Sequence, residues 1–199
     1  MTRGDIVYAV NKIAKYSRKL GKNHFEALLH VLQYLRDNYL LGIRFYSDVG
    51  DAPITKMLTL QNMNPAHPFY AFSDSSWNDD IDSGRSNGGY IIWYMGGMVD
   101  HSSNLPDPVA LSSAEAKYNE ACLAFMATNH LRMILCDFEN IPEKDRKATI
   151  IYLDSKSAIA MGASYKDTKH TRHIMRRYHY VQNEIAVGRL ETVCICVLS

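Results

Sequence analysis

The chain has 199 residues, 47% of them hydrophobic, with 22 Lys and Arg against 21 Asp and Glu. That suffices for one well-filled domain plus a small appendage, and a net charge of +1 leaves only local clusters to argue for or against nucleic acid. No run approaches the ~20 apolar residues of a membrane span, no signal-peptide pattern opens the chain, and Cys122, Cys136, Cys194 and Cys196 match no zinc spacing. An intracellular protein with reduced thiols and no membrane is expected.

In chain order, residues 4–16 place Ile6, Val10, Ile13 and Ala14 at helical spacing. Asn23 is read as the N-cap of a second helix with the stripe Phe25, Leu28, Leu29, Leu32 and Leu35. LGIRFYS reads as a short strand. Residues 47–67 are polar, contain Gly50, Pro53 and Pro65, and read as a linker, which puts a boundary near residue 66. PFYAFSD is then a strand ending in an acid, and SWNDDIDSGRSNGG is a polar loop. YIIWYM and GGMVDHSS form a hairpin turning at Gly96-Gly97. A long helix runs from about Ser112 to Phe138, ATIIYLD is another strand ending in an acid, and SKSAIAMG is a short helix. Residues 168–187 form a further helix and RLETVCICV a last strand. Three strands, a helix, a strand, two helices and a strand imply a mixed sheet with helices on its faces.

FYAFSDSS and IIYLDSKS share one design, an apolar strand running straight into Asp-Ser. Asp74 has the parity of Tyr70 and Phe72, and Asp154 that of Ile150 and Tyr152, which places each acid on the inward face of its strand. If the strands are parallel neighbours, the acids converge where open α/β sheets gather their sites. Read singly, either Asp-Ser is equally a turn or a cap. Glu115 opens the long helix, and Ser112 with Glu115 has capping-box spacing. From Glu115, helical steps reach Tyr118, Asn119, Cys122 and Met126, so its face is expected to meet protein, and capping and chemistry both remain open to it. Two carboxylates about 4 Å apart repel by about 4 kcal/mol at an effective dielectric of 20, so such a cluster takes up protons or cations. Oxygen donors without fitting His or Cys favour Mg²⁺ or Mn²⁺ over zinc. A pair of such ions suits hydrolysis of a phosphodiester.

AFSDSSW, SGRSNGGYIIW, VALSSAEAKYNEA, IYLDSKSAI and KHTRHIMRRYHYV, in that order, resemble the ribonuclease H domain of copia-type retrotransposon Pol polyproteins. TRGDIVYAVNKIAKYS and HFEALLHVLQYLRDNYLLGIRFY are similar to the thumb and connection that end the family's reverse transcriptase. The resemblance implies an RNase H-like α/β fold, a mixed five-stranded sheet flanked by helices with a small N-terminal helical segment. It implies residues 1–66 as the thumb/connection remnant and 67–199 as an RNase H-like domain, C-terminally truncated. It also implies an endonuclease that cuts the RNA strand of RNA–DNA hybrids with two divalent ions (Mg²⁺ or Mn²⁺) held by Asp74, Glu115 and Asp154, inside a larger Pol polyprotein. The chain departs from the family in lacking a fourth acid after the last strand, in Asn104 and Leu105 where lysines are usual, and in Gly4 at a usual proline. The missing acid keeps a catalytically silent fragment, binding nucleic acid or serving structure, as the competing expectation.

Two further groups are candidates for the nucleic acid. Lys169, Arg172, His173 and Arg176 recur at i, i+3, i+4 and i+7, a stripe able to track phosphates or simply to face solvent. Arg85, Ser86 and Asn87 lie in the first loop, where they could meet phosphate or the 2′-OH that tells RNA from DNA. His170, His173 and His179, the loop acids Asp79, Asp80 and Asp82, and Trp77 and Trp93 read more simply as packed or solvated residues.

Overall fold

Helical spacing at the front of the chain produces two helices, α1 (Val7–Ala14) and α2 (Lys22–Asp37). The computed structural model describes residues 3–53, 68–76, 86–104, 112–156, 159 and 172–195, with residue 49 and residues 172–178 as backbone only. The cap of α2 is Gly21, not Asn23: Gly21 is extended, its N–H donates to His24 Nδ1 at 3.1 Å, and Asn23 lies inside the first turn. A glycine serves at this position almost as well as a polar cap. The Tyr16 and His24 rings stack with centroids 4.0 Å apart, tying the two helices together. LGIRFYS is not a strand: residues 41–46 carry no regular structure, and the pairing reduces to Tyr46 N–H donating to the Met95 carbonyl at 2.9 Å. The Met95 carbonyl belongs to a hairpin turn, which offers no continuous edge to add to.

The sheet is the expected mixed five-stranded one. Its strands are β1 (Phe69–Ser76), β2 (Asn87–Tyr94), β3 (Gly97–Asn104), β4 (Thr149–Leu153) and β5 (Leu190–Cys194), in the order β3-β2-β1-β4-β5. β1 pairs antiparallel with β2 and β2 with β3, whereas β1, β4 and β5 run parallel. All of β4 is buried, as a central parallel strand covered on both faces should be. The hairpin turns at Met95-Gly96, with φ of 49° and 73°, and Gly97 already pairs with Tyr94. A two-residue turn with positive φ at both positions matches the twist of the flanking strands, so the turn sits one residue earlier than the glycine pair suggests.

The long helix α3 (Ser113–Glu139) packs on one face of the sheet through Tyr118, Ala121, Cys122 and Phe125. These join Phe69, Ala71, Ile92, Ile151 and Leu153 in the main core. A smaller cluster of Tyr70, Ile150 and Tyr152 lies on the other face, where Phe72 stacks on Tyr152 at 5.1 Å. Arg132, 1% exposed, donates to Thr149 Oγ1 at 3.0 Å and to the carbonyls of Lys147 and Arg146 at 2.6 and 2.7 Å, which pins the loop between α3 and β4. α4 spans Arg172–Ala186, inside the expected 168–187, and is followed by Gly188 at a φ of 76°. The expected short helix at SKSAIAMG falls largely outside the described residues, as does the loop over 77–85. Among the described residues no helix is long and apolar enough to cross a membrane; Cys122 and Cys136 are buried and Cys194 is half-buried.

Candidate active site

Strand parity and parallel pairing together position the first two acids. β1 and β4 are hydrogen-bonded neighbours in the register Phe72↔Tyr152 and Ser73↔Leu153, so Asp74 and Asp154 emerge next, side by side. Both share parity with the aromatic face of Tyr70, Phe72 and Tyr152, but at the strand ends that face opens, and their side chains are 72% and 37% exposed. The expectation of an inward-facing pair is therefore met in direction and corrected in burial. Their common partner comes from the helix on the opposite face. Lys117 Nζ lies 3.3 Å from Asp74 Oδ1 and is hydrogen-bonded to Asp154 Oδ2. The N-terminus of α3 stands close enough to the strand ends for a long side chain to reach round the sheet. Burial lowers the Lys117 pKa, but the hydrogen bond to Asp154 and the charges of both aspartates outweigh it and hold the ammonium above its usual value.

Glu115 sits in the first turn of α3. Its N–H is capped by Ser112 Oγ at 3.1 Å, so the capping half of the sequence reading is present. The residue is 8% exposed, and Tyr118, Asn119 and Cys122 on its stripe are buried; Met126 is not, at 43% exposed. The face reading fails at Met126 because Glu115, Ala116, Tyr118, Glu120, Ala121 and Ala124 are buried on all sides of the first turns. Beyond Phe125 burial narrows to the stripe of Thr128, Arg132 and Cys136, and Met126, Met133, Ile134 and Phe138 on the other sides are exposed.

Asp74 and Asp154 line a cleft of about 600 Å³ together with Phe72, Asn87, Gly88, His101 and Tyr152. Of the loop candidates, Asn87 borders the cleft at 8% exposure and Ser86 is buried at 3%. Arg85 and Lys169 lie outside the described residues, and Arg172, His173 and Arg176 are placed in α4 by their backbone alone. The other residues held back as packed or solvated divide similarly. Trp93 packs against the smaller cluster, while Trp77, Asp79, Asp80, Asp82 and His170 are outside the described residues.

As a cation seat, Asp74 and Asp154 fit: two hard oxygen donors lie close enough to share one ammonium, which shows that the spot attracts positive charge. Among the described residues no group of three or more His, Cys, Asp or Glu side chains is gathered to hold a metal ion. Pairwise, then, the seat is assembled around Lys117, a residue that helical-face reasoning passes over because it sits two positions from Glu115.

Glu120 also escaped the sequence reading. It is fully buried, neither carboxylate oxygen has a hydrogen-bond partner among the described residues, and burial pushes its pKa up to about 7. A Cβ on Gly88 would come within 2.3 Å of Glu120 Oε2, so the glycine of β2 makes the room this carboxyl occupies. The Gly-Gly of SNGGY was the available signal, since paired glycines inside a strand pattern mark close approach.

No family model matches the chain. Over 184 residues it is 30% identical to the retrovirus-related Pol polyprotein from transposon TNT 1-94 of Nicotiana tabacum, a match covering 92% of this chain and 12% of that polyprotein. It is also 30% identical over 118 residues to secreted RxLR effector protein 161 of Plasmopara viticola, covering 59% of this chain and 72% of that one. Among solved structures, LC11-RNase H1 in complex with an RNA/DNA hybrid aligns at 15% identity and a TM-score of 0.44, over 65% of this chain and 86% of that chain.

Proposed function

The chain belongs to the copia-type Pol polyproteins of transposons, and we propose that it is their ribonuclease H portion, an endonuclease that hydrolyses the RNA strand of an RNA–DNA hybrid inside the cell. The observation that carries this reading is the juxtaposition of Asp74 and Asp154 at the ends of two parallel neighbouring strands, on one face and at the mouth of one cleft. Asp74 and Asp154, with Glu115 as third donor, would hold the divalent ions. When bound, Mg²⁺ or Mn²⁺ supplies Lewis acidity to activate water and to stabilise the leaving oxygen.

The protein's own contribution is placement. The β1–β4 pairing fixes the separation of the two aspartates, and the Ser112 cap fixes the helix end that carries Glu115 and brings Lys117 to the aspartates. Asn87, at the rim of the cleft, presents an amide able to donate to and accept from a ribose hydroxyl. The stripe of Lys169, Arg172, His173 and Arg176, with Arg85, would track the phosphates. Each phosphate contact made adds to the steepness with which affinity falls as salt rises.

The test is cleavage of an end-labelled RNA–DNA hybrid, first with Mg²⁺ and then with Mn²⁺. Asp154→Asn is expected to lower the rate at least about a hundredfold, the upper end of what losing even an outer partner of a metal costs. Absence of cleavage by the intact chain with either ion would remove the nuclease reading. One observation favours a second reading, a hybrid-binding chain that does not cut: the Lys117 ammonium already neutralises part of the aspartate pair.

A further inference from the structure

We propose that Lys117 is a tethered counter-ion that fills the cation seat between Asp74 and Asp154, so that a divalent ion enters only by displacing it. The proposal rests on the reading of these aspartates as metal-holding groups and adds a gate to it. Three facts carry it. First, one ammonium touches both carboxylates, at 3.3 Å from Asp74 and in a hydrogen bond to Asp154, so it stands between them and not beside one. Second, Lys117 is only 22% exposed although both partners are more open, so its stem is committed to the site and its charge is not simply solvated. Third, it comes from α3, on the opposite face of the sheet. It can therefore withdraw by rotating its own flexible stem, with no change in strand pairing.

Charge arithmetic then sets the behaviour. Two carboxylates and one ammonium leave a net charge of −1. A divalent ion bound with the ammonium in place would meet a like charge within a few ångströms. The seat is therefore pre-assembled without metal but weak for metal, and neutralising Lys117 should strengthen divalent binding and weaken the metal-free aspartate pair.

The experiment is a titration of the full chain with Mn²⁺ alone, without nucleic acid, reading free Mn²⁺ by electron paramagnetic resonance. Lys117→Gln is expected to bind Mn²⁺ at least about tenfold more tightly than the native chain. Lys117→Arg keeps the charge and is expected to stay near the native affinity. Placing Asp154→Asn in the Lys117→Gln background should erase the gain. Far-UV circular dichroism at the titration temperature verifies that each variant is folded, and Lys117→Met serves in place of Lys117→Gln if that variant is not. The proposal is overturned if the neutral variant binds Mn²⁺ no better than the native chain, if Lys117→Arg shows the same gain, or if neither the native nor the neutral chain binds at all. Hybrid cleavage measured on the same samples separates this from the nuclease reading. Tight Mn²⁺ binding by Lys117→Gln without cleavage would end the nuclease reading and leave the counter-ion role standing, whereas cleavage with unchanged Mn²⁺ affinity would do the reverse.

Discussion

α2 and α3 each carry an apolar stripe in the sequence, and they end in opposite situations. Nine residues of α3 between Glu115 and Phe125, among them Ala116, Tyr118 and Phe125, are buried, whereas α2 buries no residue at all. Phe25, Leu29 and Leu32, on the apolar stripe of α2, are 50%, 40% and 53% exposed. Periodicity of apolar residues therefore declares that a helix has a face to bury; whether a sheet is there to bury it is decided by the rest of the chain. The difference also explains where chemistry accumulates. A helix end clamped against strand ends can deliver Lys117 to a defined place, and a helix lying open cannot.

The largest effect is expected where that contrast is broken outright. Phe125 is 1% exposed and sits in the main core between α3 and the sheet. Phe125→Ala removes most of a buried ring and leaves a cavity that rigid neighbours fill only in part, so it should destabilise the fold by about 3–5 kcal/mol in urea or guanidinium denaturation. A cost below about 1 kcal/mol would mean that α3 is not anchored to the sheet as its burial indicates.

A smaller and pH-dependent effect tests the polar side of the same packing. Glu120 titrates at about 7 in the folded chain against 4.5 for the free side chain, so its folded pKa is raised. As pH climbs through that window, the unfolded chain gives up the proton first while the folded one still holds it. Stability due to this group is thus full below the lower value, falls between about pH 4.5 and 7, and is level above. The slope is at most about 1.4 kcal/mol per pH unit. Glu120→Gln keeps the shape and removes the ionisation, so the difference between the two stability–pH curves should shrink below pH 4.5 and reach its maximum above pH 7, with the variant the more stable of the two there. Parallel curves would show that the Glu120 pKa does not change on folding and that its burial does not hold the proton.

These two residues also mark the limit of what the chain's order of residues discloses. The repeated strand–Asp–Ser design placed Asp74 and Asp154 on matching faces, because period two is rigid and the acids follow strands with no intervening turn. The order β3-β2-β1-β4-β5 was not legible: the sequence offered the adjacency of β1 and β4 only as a condition, which their parallel pairing meets. Lys117 and Glu120 were not legible: Glu120 is buried away from the stripe that starts at Glu115, and Lys117, half-buried, lies off that stripe, so a one-faced helix argument selects neither. The strand assigned to LGIRFYS failed for the complementary reason: Ile43, Phe45 and Tyr46 give the segment strand propensity, but a strand needs a run of backbone partners, and the turn at Met95 offers a single carbonyl.

The smallest effect is expected on α2, and its smallness is the informative part. Leu32 is 53% exposed, so truncating it removes little area from contact with protein and opens no cavity. Alanine is also the better helix former, which offsets part of the lost contact with its neighbours along the helix. Leu32→Ala should therefore change the stability of this chain by less than about 0.5 kcal/mol in the denaturation assay used for Phe125→Ala. Made in a longer polyprotein that carries this segment, the same substitution sharpens the contrast between the helices. A cost of about 2 kcal/mol or more there would mean that the stripe of α2 is a core face whose other half lies elsewhere in the polyprotein, because only burial makes a leucine truncation that expensive. An equally small cost in both settings would mean that α2 is a solvent-facing helix by design, and that its apolar stripe does not report a missing surface.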